Sequence, residues 1–195
     1  MSELTVGSLS GLAANSYVID VASGSSLDLS NGATLPAGSV LQVVSTAKTD
    51  TFSTSSSSYV DVTGMSATIT PSSTSSKILI LVQATIGWSD GTAPFGHWRI
   101  SGGNATDYVG DAAGSRVSGV FGGIINSGTE TRALNTALSI NYLDSPSTTS
   151  AVTYQLQTRL GAVSGTYYLN RSTSDPDDTN GNRGASSITL MEVAG

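Results

Sequence analysis

Val152-Thr153-Tyr154-Gln155-Leu156-Gln157-Thr158 alternates without a break, with Val152, Tyr154, Leu156 and Thr158 in one set and Thr153, Gln155 and Gln157 in the other. Successive side chains of an extended strand leave on opposite faces, so this period of two gives one dry face and one wet face. A helix would need apolar spacing near 3.6, which the stretch lacks. Polar turns bound it on both sides and the same style runs to the C-terminus. Asn141-Tyr142-Leu143-Asp144-Ser145-Pro146, Tyr167-Tyr168-Leu169-Asn170-Arg171-Ser172 and Gly184-Ala185-Ser186-Ser187-Ile188-Thr189-Leu190-Met191-Glu192-Val193 each read as a strand with a polar turn.

Working back toward the N-terminus, strand follows strand from Ser39. Val40, Val43 and Val44 lie in the first. Tyr59–Thr70 follows, with Val60, Val62, Ala67 and Ile69 expected to point inward and Gly64 to mark a bulge or bend. Pro71–Ser76 is a turn cluster, and Lys77–Ile86 is apolar enough to suggest burial on both faces. His97–Ser101, Arg116–Ile125, Leu134–Tyr142, Val152–Leu160, Thr166–Asn170 and Ser187–Val193 complete the set. No stretch supports a helix longer than one turn. Many short strands between polar turns predict an all-β fold, an antiparallel β-sandwich of jelly-roll type.

Residues 1–38 read differently. Their apolar pieces are two to five residues long and are broken by Gly7, Gly11, Gly24 and Gly32. Such pieces are too short to build a sheet of their own. They predict an extended N-terminal anchoring arm over 1–38 that docks through Leu4, Val6, Leu9, Leu12, Tyr17, Ile19, Val21, Leu27 and Leu29, with the sandwich domain over 39–195. Leu35-Pro36-Ala37-Gly38 makes the turn between them, since Pro fixes φ and Gly frees it.

Composition narrows the function classes. Of 195 residues only 11% are charged, and 38% are apolar in alternating runs, which argues for an ordered β protein and against global disorder. The formal charge is −6 and the eight basic residues are scattered singly, which speaks against nucleic-acid binding. There is no cysteine, so neither disulfides nor thiolate metal sites are available. Met1-Ser2-Glu3-Leu4-Thr5-Val6-Gly7 lacks the basic and apolar regions of a secretory signal, and the longest apolar run, Ile78–Val82, is too short to cross a bilayer. The expectation is synthesis in a host cytoplasm and no membrane insertion.

Gly87-Trp88-Ser89-Asp90-Gly91 fits G-x-S-x-G directly after a strand. In an α/β-hydrolase that elbow exposes a nucleophilic serine ahead of a helix. Thr92-Ala93-Pro94-Phe95-Gly96 cannot start a regular helix, and the general base would have to be His97, the single histidine. In a chain this rich in Gly and Ser the match reads as a loop between strands. Asp175-Pro176-Asp177-Asp178-Thr179-Asn180-Gly181-Asn182 clusters oxygens that suit Ca²⁺, but with Gly181 as the sixth position of an EF-hand loop the first ligand would be Pro176. A solvated turn is the simpler reading. His97, Trp98 and Arg99, near Trp88, form an aromatic and cationic group of the kind that stacks on a sugar or makes a subunit contact, against the plainer reading of a core edge. Asn104-Ala105-Thr106 and Asn170-Arg171-Ser172 match the glycosylation pattern but are expected to carry nothing. Asp107, Asp111, Glu130 and Asp144 are expected in surface or turn positions, with no pair singled out for acid–base work. No catalytic residue, cofactor or metal site is predicted.

Gly38-Ser39-Val40-Leu41-Gln42-Val43-Val44-Ser45, Thr49-Asp50-Thr51-Phe52-Ser53, Tyr59-Val60-Asp61-Val62-Thr63-Gly64-Met65 and Ile69-Thr70-Pro71-Ser72-Ser73-Thr74-Ser75-Ser76-Lys77-Ile78-Leu79 resemble a family of β-sandwich virion proteins of tailed bacteriophages, marine phages and cyanophages among them. Gly110-Asp111-Ala112 and the C-terminal segments quoted above extend the resemblance over roughly residues 38–193. It implies a non-enzymatic structural protein at the virion surface, either a capsid-decorating (cement) protein or a tail fibre. Partners implied are the major capsid protein or tail and baseplate proteins, with a host surface glycan as a further partner of a fibre tip. The resemblance also implies a homotrimer, for which there is a physical reason: a sandwich with apolar teeth and open strand edges would aggregate alone, and assembly around a three-fold axis closes those contacts.

Overall fold

Alternation in the sequence becomes ten strands in the computed structural model, which describes residues 35–88, 96–111, 114–123, 135–161, 165–179 and 181–195. In chain order they are β1 (Val40–Lys48), β2 (Phe52–Thr54), β3 (Val60–Ile69), β4 (Lys77–Trp88), β5 (Gly96–Ser101), β6 (Phe121–Gly123), β7 (Asn135–Asp144), β8 (Val152–Leu160), β9 (Tyr167–Leu169) and β10 (Ser186–Val193). One turn of 3₁₀-helix, Ala105–Asp107, is the helix among the described residues. Leu4, Val6, Leu9, Leu12, Tyr17, Ile19, Val21, Leu27 and Leu29, the expected teeth of the arm, lie outside the described residues.

The strands form two antiparallel sheets. The larger is built on β4, whose one edge carries β10 along Lys77–Gln83 and then β9 along Ile86–Trp88, while β7 follows the other edge along Ile78–Gly87. Outside β10 and β9 lie β1 and β2, so the outer two lanes are each shared by two strands. The smaller sheet has the order β3-β8-β5-β6. Ile78, Ile80, Val82, Ala84 and Ile86 of β4 meet Val62, Met65, Ile69, Trp98, Ile100, Tyr154 and Leu156 in one core. The fold is thus an all-β antiparallel sandwich, as the alternation predicts.

Several local expectations need correction. Lys77–Ile86 is not buried on both faces: Leu79 and Leu81 are half-buried and Lys77 and Gln83 exposed, because no layer covers the outer side of the sheet among the described residues. Of Arg116–Ile125 only Phe121–Gly123 is strand among the described residues; Ile124 and Ile125 lie outside them. The three-residue β2 carries too little periodicity to be seen in advance. Gly64 is a bulge: φ is +82°, and register with β8 shifts between Asp61 and Ser66. The Gln155 side chain closes the gap, its Nε2 donating to the carbonyls of Val62 (2.9 Å) and Met65 (3.1 Å) that lose ladder partners there.

Two carboxylates lie on the dry side of the larger sheet, in one row that reads Gln42–Glu192–Ile78–Asp144 across β1, β10, β4 and β7. Asp144 is fully buried, which overturns its expected surface position. Its Oδ2 accepts from the Tyr154 hydroxyl (2.6 Å) and the Asn104 backbone N–H (3.1 Å). It thereby ties the β5–3₁₀ turn and β8 to β7. A Cβ on Gly103 would sit 2.2 Å from that oxygen, so the turn needs glycine there. Burial first, and the neighbouring Asp144 second, push the Tyr154 phenol well above its ordinary pKa, which keeps it a donor. Tyr154→Phe should lower stability by about 1–3 kcal/mol, since it removes one donor to a buried carboxylate. Urea unfolding of the variant checks this, and a loss under about 0.5 kcal/mol would show that the bond adds little.

Candidate functional site

The outer faces of the two sheets differ in chemistry. On the larger sheet one row crosses four strands: Val43 of β1 lies opposite Met191 of β10, Met191 opposite Leu79 of β4, and Leu79 opposite Leu143 of β7. Val43 is 55% exposed and Leu143 45%, while Met191 and Leu79 are half-buried. Val40, Leu41 and Leu35 are exposed at the β1 end of this band. Alternation puts these side chains outward, because Val44, Leu190, Ile80 and Tyr142, one step along each strand, turn inward. Single exposed apolar residues need no explanation, but a continuous row across a sheet is a distinct surface feature.

The smaller sheet presents polar and cationic groups instead. Asp61 of β3, Gln157 of β8 and Arg99 of β5 lie in one row, and Arg159, His97 and Gly122 in the next. Gln157 Nε2 donates to Asp61 Oδ1 (2.8 Å), and Arg99 Nε donates to Gln157 Oε1 (2.8 Å). The Arg99 guanidinium stacks on the Tyr59 ring at 4.0 Å from its centroid, and that of Arg159 lies 5.9 Å from the same centroid. The Tyr59 hydroxyl is anchored on the Ser118 carbonyl at 2.9 Å. His97 has its pKa held below the ordinary imidazole value, by partial burial first and by the Arg159 charge second. Tyr59 is pushed above its ordinary value by burial, which outweighs the two arginines.

The motifs of the sequence resolve differently. Gly87 and Trp88 end β4, and Ser89, Asp90 and Gly91 lie outside the described residues. His97 sits on the outer face of β5 while Trp98 points into the core, so the two adjacent residues do not act together. In the Asp175–Asn182 segment the Asp175 carboxylate is taken by Arg183 (2.6 Å) and Arg171 (3.6 Å), and Arg171 lies over the Tyr168 ring. Its charge is thus matched within the turn. Asp111 is exposed, and Glu130 lies outside the described residues, as does the side chain of Asp107.

Asn170 is the residue that sequence reasoning missed. Read there as the end of the strand Thr166–Asn170 and as a glycosylation match, it lies one residue past β9, is fully buried with φ of +61° and fills the gap where the shared lanes of the larger sheet change strands. Its Nδ2 donates to the carbonyls of Lys48 (2.8 Å) and Asp50 (3.0 Å), and its Oδ1 accepts from Ser186 Oγ (2.6 Å). Its backbone N–H donates to Thr85 O (2.8 Å), and its carbonyl accepts from the Gly184 N–H (3.1 Å). The hint in the sequence was an Asn directly after a strand, a type that tolerates positive φ.

No family model matches the chain, and no curated protein matches it. Similar solved structures include a mutant VP2 protein of infectious bursal disease virus in derived T=1 particles, at 10% identity and a TM-score of 0.35. They also include the infectious bursal disease virus Gx strain, at 13% and 0.33, and the VP2 subviral particle of the same virus, at 11% and 0.34. Each alignment covers 78% of this chain, which spans 36–38% of the length of those chains.

Proposed function

We propose that this protein is a non-enzymatic structural component of a tailed-phage virion, a homotrimeric capsid-decorating protein that attaches to the shell through residues 1–38. The apolar row Val43–Met191–Leu79–Leu143 carries the reading, because a water-facing sheet with that row calls for a covering partner, whereas an enzyme would need a polar constellation in a cleft. The resemblance over residues 38–193 supports a virion, and the apolar teeth spaced along residues 1–38 favour a segment that docks on a shell. The second reading is a short trimeric tail fibre, and the cationic face of the smaller sheet favours it. Wild-type protein should run as a trimer in light scattering. Val43→Lys with Leu143→Lys should give a monomer of nearly unchanged melting temperature, since exposed substitutions usually shift stability by less than about 0.5 kcal/mol. A monomeric wild type, or a variant that stays trimeric, would sink the proposed face. Removing residues 1–38 should leave a folded sandwich that no longer coats capsids.

A further inference from the structure

The groups on the outer face of β3, β8 and β5 are held in place before any ligand arrives. The hydrogen-bonded line Asp61–Gln157–Arg99 fixes one nitrogen of the Arg99 fork, and the Tyr59 ring fixes its plane. Arg159 shares that ring from further away and faces His97 across the strand pair. Among the described residues no carboxylate lies within ion-pair distance of Arg99 or Arg159. In a chain of net charge −6, two guanidiniums gathered on one ring without acidic partners form a local site for a negative charge.

We infer that Arg99, oriented by Tyr59 and Gln157, and Arg159, whose Nε donates to the Leu160 carbonyl (3.1 Å), form a binding site for a carboxylate group carried on a saccharide. A guanidinium presents paired N–H donors in the spacing of a carboxylate, and an oriented fork loses little entropy on binding. The surroundings favour a sugar as the carrier. Asp61 and Gln157 supply acceptors and donors for hydroxyls, and Thr63, Thr68 and Thr153 add exposed hydroxyls along the same face of the sheet. The overall negative charge opposes a densely charged polyanion, so nucleic acid is the disfavoured ligand. The site stands independently of where on a particle the protein sits, and it lies on the other sheet from the apolar row.

His97 makes the test direct, because it is the single histidine and senses the charge of Arg159. Full-length protein is titrated with sialyllactose, neutral lactose, sodium acetate and a short single-stranded DNA, with binding followed by calorimetry and His97 by NMR across pH. Sialyllactose should bind and move the His97 midpoint upward, since a bound carboxylate offsets Arg159. Lactose and acetate should do neither at equal concentration. Arg99→Gln with Arg159→Gln should weaken sialyllactose by at least about tenfold, and Arg99→Lys with Arg159→Lys should recover only part of this because lysine lacks the fork. The wild-type titrations decide the matter even if a variant folds poorly. Absence of sialyllactose binding, an unmoved His97, equal binding of lactose or acetate, or tighter binding of DNA would each overturn the assignment.

Discussion

Asn170→Ala should lower stability by about 3–5 kcal/mol, the largest loss expected from any single side chain outside the apolar core. Three side-chain hydrogen bonds disappear together, leaving the carbonyls of Lys48 and Asp50 and the Ser186 hydroxyl without their partner. Ser186 in turn accepts from the Thr85 N–H (3.1 Å), so the damage reaches β4. Alanine also tolerates φ of +61° less well than asparagine. Asn170→Gly separates the two effects, since glycine adopts that conformation freely but restores no bond. If the bonds dominate, the glycine variant loses nearly as much as alanine, and Tm falls by about 10 °C in both. A glycine variant close to wild type in thermal unfolding would show that backbone conformation, not the amide, is what Asn170 supplies.

Glu192→Ala is expected to cost about 3 kcal/mol, because the carboxylate is 1% exposed and clamps the β3–β4 turn to β10 and β1. Its Oε1 accepts from the Ser72 N–H (2.7 Å) and hydroxyl (2.6 Å), and its Oε2 from Gln42 Nε2 (2.6 Å). Burial works against the charged form, but these donors together outweigh it and hold the pKa below the ordinary 4.5. A depressed carboxyl pKa means that the folded state favours the ionised group. The stabilisation is therefore present above the unfolded pKa near 4.5 and is lost as pH falls through the lower folded value. Glu192→Gln keeps the shape but turns an amide donor toward Gln42, whose own Nε2 is committed to the Thr70 carbonyl (2.7 Å). It should lie between wild type and alanine at neutral pH and should lack the acid-dependent part. Urea unfolding from neutral pH down to about pH 3 checks this. A wild type and a Gln variant that lose stability in parallel would place the acid sensitivity elsewhere.

Both residues show where local pattern stops being informative. Val152–Leu160 and Ser187–Val193 were legible because every other side chain is apolar or aliphatic enough to declare a face, and the observed strands agree to within one residue. Gly64 was legible because a glycine inside an alternating strand has few other uses. Glu192 and Asp144 were not, since a single carboxylate in a strand looks the same whether it faces water or a ring of donors from Ser72, Gln42, Tyr154 and Asn104. Those donors come from turns and strands up to 150 residues away in the chain. Lys77–Ile86 misled for a related reason. Its composition suits two dry faces, yet whether an outer layer covers it depends on elements the strand itself does not encode.

Local sequence, then, determined the all-β class, most strand positions and, in strands that alternate cleanly such as β8, the sorting into two faces, because those follow from a period of two that such a segment carries alone. Cross-strand pairing decided everything that needs neighbours. It joined Val43, Met191, Leu79 and Leu143 into one apolar row and brought Arg99, Arg159 and Tyr59 onto one polar face. A surface is made by register between distant strands, and register is set by the packing of the whole sandwich rather than by any one segment.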